Sequence, residues 1–156
     1  MTRIPCLIVV QPYASLIVHG QKRWEFRTYD PKKTGKIGIA ASNAPPWHTR
    51  NTALNRVSQS LPRGVVLGTA DLVSSFFVTS DDLKKRITDP IEIMLQGQKI
   101  TTYAEPIGEP IEDVDSAINA KSWNRFAWVL DNIQAMEHPI LFQRMGRSTW
   151  VDVDIP

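Results

Sequence analysis

The sequence predicts a mostly β, α+β domain in which five to six short strands curve into a small barrel flanked by two or three short helices. Apolar or alternating stretches bounded by Gly, Pro, Asn or Asp recur along the chain. Too few helical patterns lie between them to connect the strands of a parallel, doubly wound sheet. Closure into a barrel would also remove the unpaired strand edges that hydrophobic segments otherwise expose.

The first part of the chain alternates between strand and helix patterns. An apolar, β-branched run predicts a strand, and the helix after it begins at Pro12 and stops at Gly20, a natural left-handed terminator. In the next strand Trp24 and Phe26 alternate with charged residues, which is the period of a half-buried strand. A turn at Asp30 leads into a third strand, and a helix follows two prolines. These elements are residues 4–10, 13–19, 22–29, 36–42 and 49–61.

The second part begins and ends with clear strand patterns. In a long apolar run, Gly68 marks a bend or bulge of the kind that barrels need. Asp81 or Asp82 then caps a short helix, and the Pro-, Gly- and acid-rich segment at about 88–122 is expected to be an irregular insertion with room for one hairpin. At this length the whole chain, 1–156, is expected to be one domain. The elements are residues 64–75, 81–87, 125–130 and 149–153.

Composition is that of an ordinary globular protein, with 42% hydrophobic and 22% charged residues. No apolar run approaches the ~20 residues needed to cross a bilayer, and the N-terminus lacks a secretory signal pattern. A cytoplasmic protein with no membrane partner is therefore expected. The one cysteine, Cys6, lies in an apolar run and is expected to be a buried, inert thiol.

Charge is unevenly distributed along the chain. Residues 1–50 carry eight Lys and Arg against two acids, a balance of +6, so a total of +2 leaves −4 for residues 51–156. Clustered basic residues suit a polyanion partner, because they attract phosphates and release counterions on binding. The alternative is a solvated basic face.

Several classes of enzyme lack their usual motifs. The sequence contains no phosphate-binding Gly-rich loop ending in Gly-Lys-Ser/Thr, no dinucleotide fingerprint and no nucleophile elbow. His19, His48 and His138 are far apart, and none has the spacing that places two metal ligands on one face. We expect neither a metal site nor a cofactor.

Two adjacent motifs carry a family resemblance. Residues 11–14 form a Gln-Pro-aromatic-Ala helix start, and residues 20–27 read G-x-K-x-x-E-x-R. Together they resemble the signature of the ASCH domain family, and the resemblance covers most of the chain except about 43–63 and 80–122. It implies a PUA-like β-barrel, in a small prokaryotic or phage-type member, whose cleft beside the Gly-x-Lys segment faces RNA or a modified nucleoside.

The charged residues of the second motif have the chemistry to bind such a ligand. Lys22 and Arg27 can donate charge-assisted hydrogen bonds to phosphate or base carbonyl oxygens, and Glu25 can accept from an exocyclic amine or orient the two cations. This interpretation assumes that Lys22 points to the same side as the other two. The alternative is that Glu25 and Arg27, two apart on one strand face, form only a structural ion pair.

Three further residues are candidate ligand contacts. Ser42 and Asn43 end a predicted strand, where they contact a ligand or only form a turn. Trp47 follows two prolines in a polar loop, where its ring can stack on a base or pack as a lid on the barrel.

Binding is the preferred function, and two alternatives stay open. The first is a metal-independent hydrolase, since some ASCH-like proteins are associated with deacylation of N4-acetylcytidine and others with RNA cleavage. In the deacylating branch a Thr stands where this chain has Glu25, so here Glu25 would have to activate water while Lys22 stabilises the oxyanion. The second is a protein-interaction domain in which the acidic residues at 105–115 meet a basic partner.

Overall fold

A computed structural model describes residues 1–48, 52–79, 87–104, 124–144 and 146–156. Within these ranges the chain forms eight strands and two short helices, which confirms the predicted mostly β fold class. In chain order they are β1 (Thr2–Val9), α1 (Tyr13–Val18), β2 (Trp24–Arg27), β3 (Gly35–Ala41), α2 (Thr52–Ser58), β4 (Val65–Thr79), β5 (Ile87–Leu95), β6 (Gln98–Ala104), β7 (Asn124–Leu141) and β8 (Trp150–Ile155).

Six of the described strands form one sheet in the order β2-β7-β4-β3-β1-β8, and β5 and β6 form a separate hairpin. Only β1 and β3 run parallel within that sheet, with Leu7 beside Ile39; the other neighbouring strands are antiparallel. A parallel pair needs a crossover connection, which here contains α1 and β2. The first helix is therefore placed against the sheet immediately before the motif strand β2.

The predicted barrel is not closed by a strand ladder among the described residues, since β2 and β8 are the two edges of the sheet. The long strands β4 and β7 instead bend through three register shifts, between Val66 and Gly68, Thr69 and Asp71, and Leu72 and Ser74. Bulges of this kind increase local twist and coil a sheet. Despite this bending, β2 and β8 do not pair with each other in the described part of the chain.

Side chains connect β2 to β1 and to the start of β8, although no backbone ladder pairs β2 with either strand. Arg27, at the end of β2, donates from Nη2 to the carbonyl oxygen of Ile8 on β1 at 2.9 Å. The hydroxyl of Tyr29, just after β2, lies 3.0 Å from Oγ1 of Thr149, just before β8. The end of the motif strand is thus held beside the start of β8.

Alternate side chains of β1 enter two different apolar clusters. Leu7 and Val9 pack with α1 and Trp128 on one face of the sheet, whereas Cys6 packs on the other face. Burial raises the pKa of the Cys6 thiol to about 11, so the sulfur is a neutral thiol near neutral pH. A Cβ at Gly38 would collide with this sulfur, and Cys6 is fully buried as predicted.

Several predicted elements differ in extent from the structure. β7 continues to Leu141, well past the predicted 125–130, and the hairpin of β5 and β6 lies within the segment expected to be irregular. The predicted helix at 81–87 falls on residues outside the described part, except Ile87, which begins β5. Residues 105–123 also lie outside it, and one domain over residues 1–156 stays a prediction. Among the described helices, none has both the length and the apolar character needed to span a bilayer.

Candidate functional site

The first motif begins at Gln11, whose side chain is fully buried. Its Oε1 accepts the backbone N–H of Ser15 at 3.0 Å, while Nε2 donates to Oγ of Ser15 at 2.9 Å and to the carbonyl oxygen of Pro62 at 2.7 Å. These bonds satisfy an N–H of the first turn of α1 and join the helix to the segment before β4. Gln11 is therefore a structural residue of the motif.

Lys22 lies between α1 and β2 and has no exposed surface. Its backbone N–H donates to the carbonyl oxygen of Leu16 at 3.0 Å, so the end of the helix fixes its position. Its Nζ lies 5.3 Å from the ring centroids of both Tyr13 and Phe26, which is within cation–π distance of each. The amine is thus held against two aromatic rings, one from α1 and one from β2.

The Glu25 carboxylate accepts a backbone N–H on the edge of β2 that faces away from β7. The N–H of Leu130 on β7 donates to the carbonyl oxygen of Arg23 at 2.8 Å, and because ladder bonds alternate along an antiparallel pair, the N–H of Phe26 points away from β7. Oε1 of Glu25 accepts this N–H at 3.1 Å, and Oε2 accepts from Nη2 of Arg27 at 3.3 Å. The ion pair is therefore present, and both carboxylate oxygens have a partner.

The Glu25–Arg27 pair lies on the Trp128 face of the sheet. Glu25 is directly opposite Trp128 in the β2–β7 register, so the two side chains leave the same face, and the Arg27 guanidinium carbon lies 5.9 Å from the centroid of the Trp128 ring system. Trp24 instead packs against Phe76, with ring centroids 5.0 Å apart. The structure brings Glu25 and Arg27 into contact; convergence of Lys22 with this pair stays a prediction.

Aromatic contacts continue from Arg27 towards β8. The Trp128 ring stacks on that of Trp150, with centroids 5.9 Å apart and planes 16° from parallel, and Nε1 of Trp128 donates to the carbonyl oxygen of Tyr29 at 2.9 Å. On Trp150, Nζ of Lys33 lies 4.0 Å from the ring centroid. Ring contacts thus connect Arg27 of the motif, through Trp128 and Trp150, to Lys33 in the loop between β2 and β3.

Ser42 and Asn43 occupy the turn after β3. Ser42 is buried, and its Oγ accepts the backbone N–H of Ala44 at 3.1 Å. Its own backbone N–H donates to the carbonyl oxygen of Val9 at 2.9 Å, so Ser42 forms the turn. Asn43 is exposed beside Gly64, whose φ of +71° favours glycine. Contact of either residue with a ligand stays a prediction.

Trp47 keeps 56% of its surface exposed. Its backbone N–H donates to the carbonyl oxygen of Gln11 at 2.7 Å, which attaches the Pro45–Pro46 loop to the start of α1. This exposure favours a ring available for stacking over a ring packed as a lid.

Comparison with known proteins agrees with the motifs and the fold. The family model of the ASCH domain matches residues 7–140, most of the chain. The chain belongs to the ASCH domain family. Its fold resembles crystal structures of ASCH from Zymomonas mobilis: that of the protein itself has a TM-score of 0.55 and 17% identity over 88% of this chain and 72% of the other. No curated protein matches the chain significantly.

Two crystal structures of point mutants of the same Zymomonas mobilis ASCH protein give similar values. One has a TM-score of 0.55 and 18% identity and covers 88% of this chain and 74% of the other. The second has a TM-score of 0.54 and 17% identity over 88% and 72%. At these identities the likeness shows the ASCH fold and carries no residue roles.

Neither the motifs nor the periodicity of the sequence indicated that Trp128 and Trp150 lie between Arg27 and Lys33. Trp128 is buried and Trp150 is partly buried. The only sequence signal was the lysine pair after Asp30, because nothing local indicates that β8 lies beside the end of β2. Among the described residues, no group of three or more His, Cys, Asp and Glu is arranged to hold a metal ion.

Proposed function

We propose that this ASCH domain binds RNA or a modified nucleoside through Arg27, oriented by Glu25, at the end of β2. The observation that carries the proposal is the geometry of the guanidinium. Among the described residues, both hydrogen bonds of Arg27 use Nη2, one to Glu25 and one to Ile8. Because arginine has five N–H donors, Nε and Nη1 can still donate to phosphate or base oxygens.

The setting of Arg27 is suited to an anionic or carbonyl-bearing ligand. Its side chain is 18% exposed and that of Glu25 is 9% exposed, so the pair lies at the border between the core and solvent. A charge-assisted hydrogen bond made there is only partly screened by water. The position of Glu25 resembles that of a residue that orients a cation, whereas the exposed ring of Trp47 and the amine of Lys22 are the candidates for stacking and for further charge.

Replacement of Arg27 tests the proposal. Arg27→Ala is expected to weaken binding of single-stranded RNA or of N4-acetylcytidine by about tenfold or more, because it removes a charge-assisted donor. Arg27→Lys keeps the charge but loses the planar fork, so affinity should be recovered only in part. Titration by fluorescence anisotropy for RNA and by calorimetry for the nucleoside measures both.

The matched control is Arg56→Ala, which removes an exposed arginine from α2. It should leave affinity unchanged. If Arg27→Ala and Arg56→Ala bind equally well and both melt like the wild-type protein, the assignment of Arg27 is wrong. If the wild-type protein binds neither ligand, the proposed function is wrong.

Hydrolysis is the weaker candidate. A general base needs a carboxylate oxygen within reach of the attacking water, and each oxygen of Glu25 already accepts one hydrogen bond within β2, which leaves one lone pair on each for a proton. Product formed from N4-acetylcytidine or RNA by the wild-type protein, and lost in Glu25→Gln, would change the assignment to a metal-independent hydrolase. The acidic segment at 105–115, on which the protein-interaction alternative rests, lies outside the described residues.

A further inference from the structure

Two loops meet beside Trp150, next to the end of the motif strand β2. The β2–β3 loop comprises residues 28–34, and the β7–β8 loop comprises residues 142–149, of which 145 is outside the described part. The Tyr29 hydroxyl and the Thr149 hydroxyl join them at 3.0 Å. Lys33 of the first loop lies over Trp150, immediately after the second. The two loops therefore form one continuous surface.

This surface is strongly basic. Its cationic side chains are all exposed: Lys32 and Lys33 from the first loop, and Arg144 and Arg147 from the second. The one acid in these two loops, Asp30, accepts hydrogen bonds at Oδ1 from the backbone N–H of Lys32 at 3.0 Å and from Oγ of Ser75 at 3.2 Å. The Asp30 carboxylate therefore holds the first loop in shape. The two loops together carry more basic than acidic side chains.

The shape of the surface is fixed from within. Arg144 donates from Nε to the carbonyl oxygen of Ser148 at 3.1 Å and from Nη2 to that of Arg147 at 3.2 Å, which closes the β7–β8 loop on itself. A surface cavity of about 300 Å³ lies against the β2–β3 loop and is lined by Asp30, Pro31, Lys32, Lys33, Thr34 and Ser75. A cavity of this size accommodates a phosphate with part of its nucleotide.

We propose that the two loops bind the phosphate backbone of an RNA strand, one nucleotide of which occupies the Arg27 site. The inference rests on the proposed function and specifies RNA as the ligand, because a free nucleoside would not need a second basic surface. The contacts from Arg27 through Trp128 and Trp150 to Lys33 connect the two places. Lysine and arginine side chains that neutralise phosphates release counterions, which makes such binding dependent on salt.

The charges on β8 limit the direction in which the bound RNA strand can run. Asp152 and Asp154 follow Trp150 at intervals of two, so they lie on the same face of β8 and both are exposed. Asp154 forms an ion pair with Arg3 at 3.6 Å, whereas Asp152 adds a negative charge two residues after Trp150. This charge favours an RNA backbone that runs from Arg27 towards Thr149 and the two loops.

One exposed residue from each loop provides the test. In the double variant Lys32→Glu, Arg147→Glu we expect RNA affinity to fall by about tenfold or more at low salt. The slope of log K against log salt should become shallower by about 0.7 for each phosphate that the protein no longer neutralises. Affinity for N4-acetylcytidine should be unchanged. The matched control is the double variant Arg56→Glu, Lys99→Glu, which makes the same change in net charge at exposed positions elsewhere.

The probes are a fluorescein-labelled single-stranded RNA of mixed sequence, a DNA of the same sequence and free N4-acetylcytidine, with melting curves for every variant. Equal RNA affinity in the two double variants would overturn the two-loop surface while leaving the Arg27 site in place. Loss of RNA binding in the loop variant but not in Arg27→Ala would support the surface and refute the Arg27 site. A wild-type protein that binds only the nucleoside would overturn the inference alone, and one that binds none of the three would overturn both proposals.

Discussion

The two motifs of this ASCH domain use polar residues in opposite ways. In the first, Gln11 is fully buried, and its amide makes three hydrogen bonds to Ser15 and Pro62. In the second, Arg27 lies at the border of the core and uses Nη2 for both of its bonds to described residues. The first motif completes its hydrogen bonds within the protein, whereas the second leaves donors that a ligand can use.

From this difference we infer that the first motif is structural, and we propose that the second binds the ligand. Because a buried amide costs free energy unless it is hydrogen-bonded, Gln11 is fixed by the helix that it begins. A partly exposed guanidinium next to a carboxylate has no such requirement, since water can satisfy the remaining donors. Substitutions should therefore lower stability in the first motif and affinity in the second.

The largest expected effect is on stability, at Gln11. Gln11→Ala should lower the free energy of unfolding by about 4 kcal/mol, because it removes three hydrogen bonds, leaves buried partners unsatisfied and creates a cavity. Thermal and urea denaturation measure this. Gln21→Ala is the control, because the Gln21 side chain makes only an exposed bond to the carbonyl of His19. If the two variants were equally stable, Gln11 would not have the structural role assigned to it.

Lys22 belongs to the second motif but is as fully buried as Gln11, so it tests whether every charged residue of that motif serves binding. Lys22→Ala should lower stability by about 3 kcal/mol, since the side chain is fully buried and truncation leaves a cavity against Tyr13 and Phe26. Lys22→Met keeps most of the volume without the charge, so it should recover most of that stability. RNA titration of Lys22→Met then isolates the charge. Unchanged affinity in a folded Lys22→Met protein would make Lys22 a structural residue of the second motif.

The sequence predicted the fold where local patterns decide it. The β-branched run of β1, the Pro12 start of α1 and the alternation of Trp24 and Phe26 each indicate an element without reference to the rest of the chain. The extension of β7 to Leu141 was missed because its last part contains Asp131, Asn132 and Glu137, and is polar enough to resemble a loop. Asp131 pairs with Asp71 on β4, and Asn132 and Glu137 lie at register shifts between further β4 pairs that continue to Leu141.

The candidate site was predictable only in part for a similar reason. Two residues apart on one strand, Glu25 and Arg27 share a face in any regular strand, and the structure shows their ion pair. The place of Lys22 depends on how α1 packs against β2, and the contact of Lys33 with Trp150 depends on how far the sheet coils. Both are long-range properties that periodicity does not encode.

A smaller effect, on affinity alone, is expected at Trp47. Trp47→Ala should weaken RNA binding by about 1–2 kcal/mol if a base stacks on the ring, because stacking contributes of that order per base. Stability should hardly change, since more than half of the ring is exposed and the anchoring bond to Gln11 is made by the backbone. Trp47→Phe should recover part of the affinity. A marked fall in melting temperature would instead show that Trp47 packs as a lid.

The smallest effect is expected at Glu25, and it decides what its carboxylate does. Glu25→Gln retains an oxygen that can accept the N–H of Phe26, and Arg27 keeps its bond to Ile8, so stability should fall by less than about 1 kcal/mol. RNA affinity should change by no more than a few-fold if the bond to Ile8 alone keeps Arg27 in place, and Glu92→Gln, at an exposed position on β5, controls for the loss of one negative charge. A loss as large as that in Arg27→Ala would mean that Arg27 needs the carboxylate as its partner, because the new amide offers Nη2 a donor where it had an acceptor. A loss larger than that in Arg27→Ala would mean that the carboxylate itself accepts from the ligand.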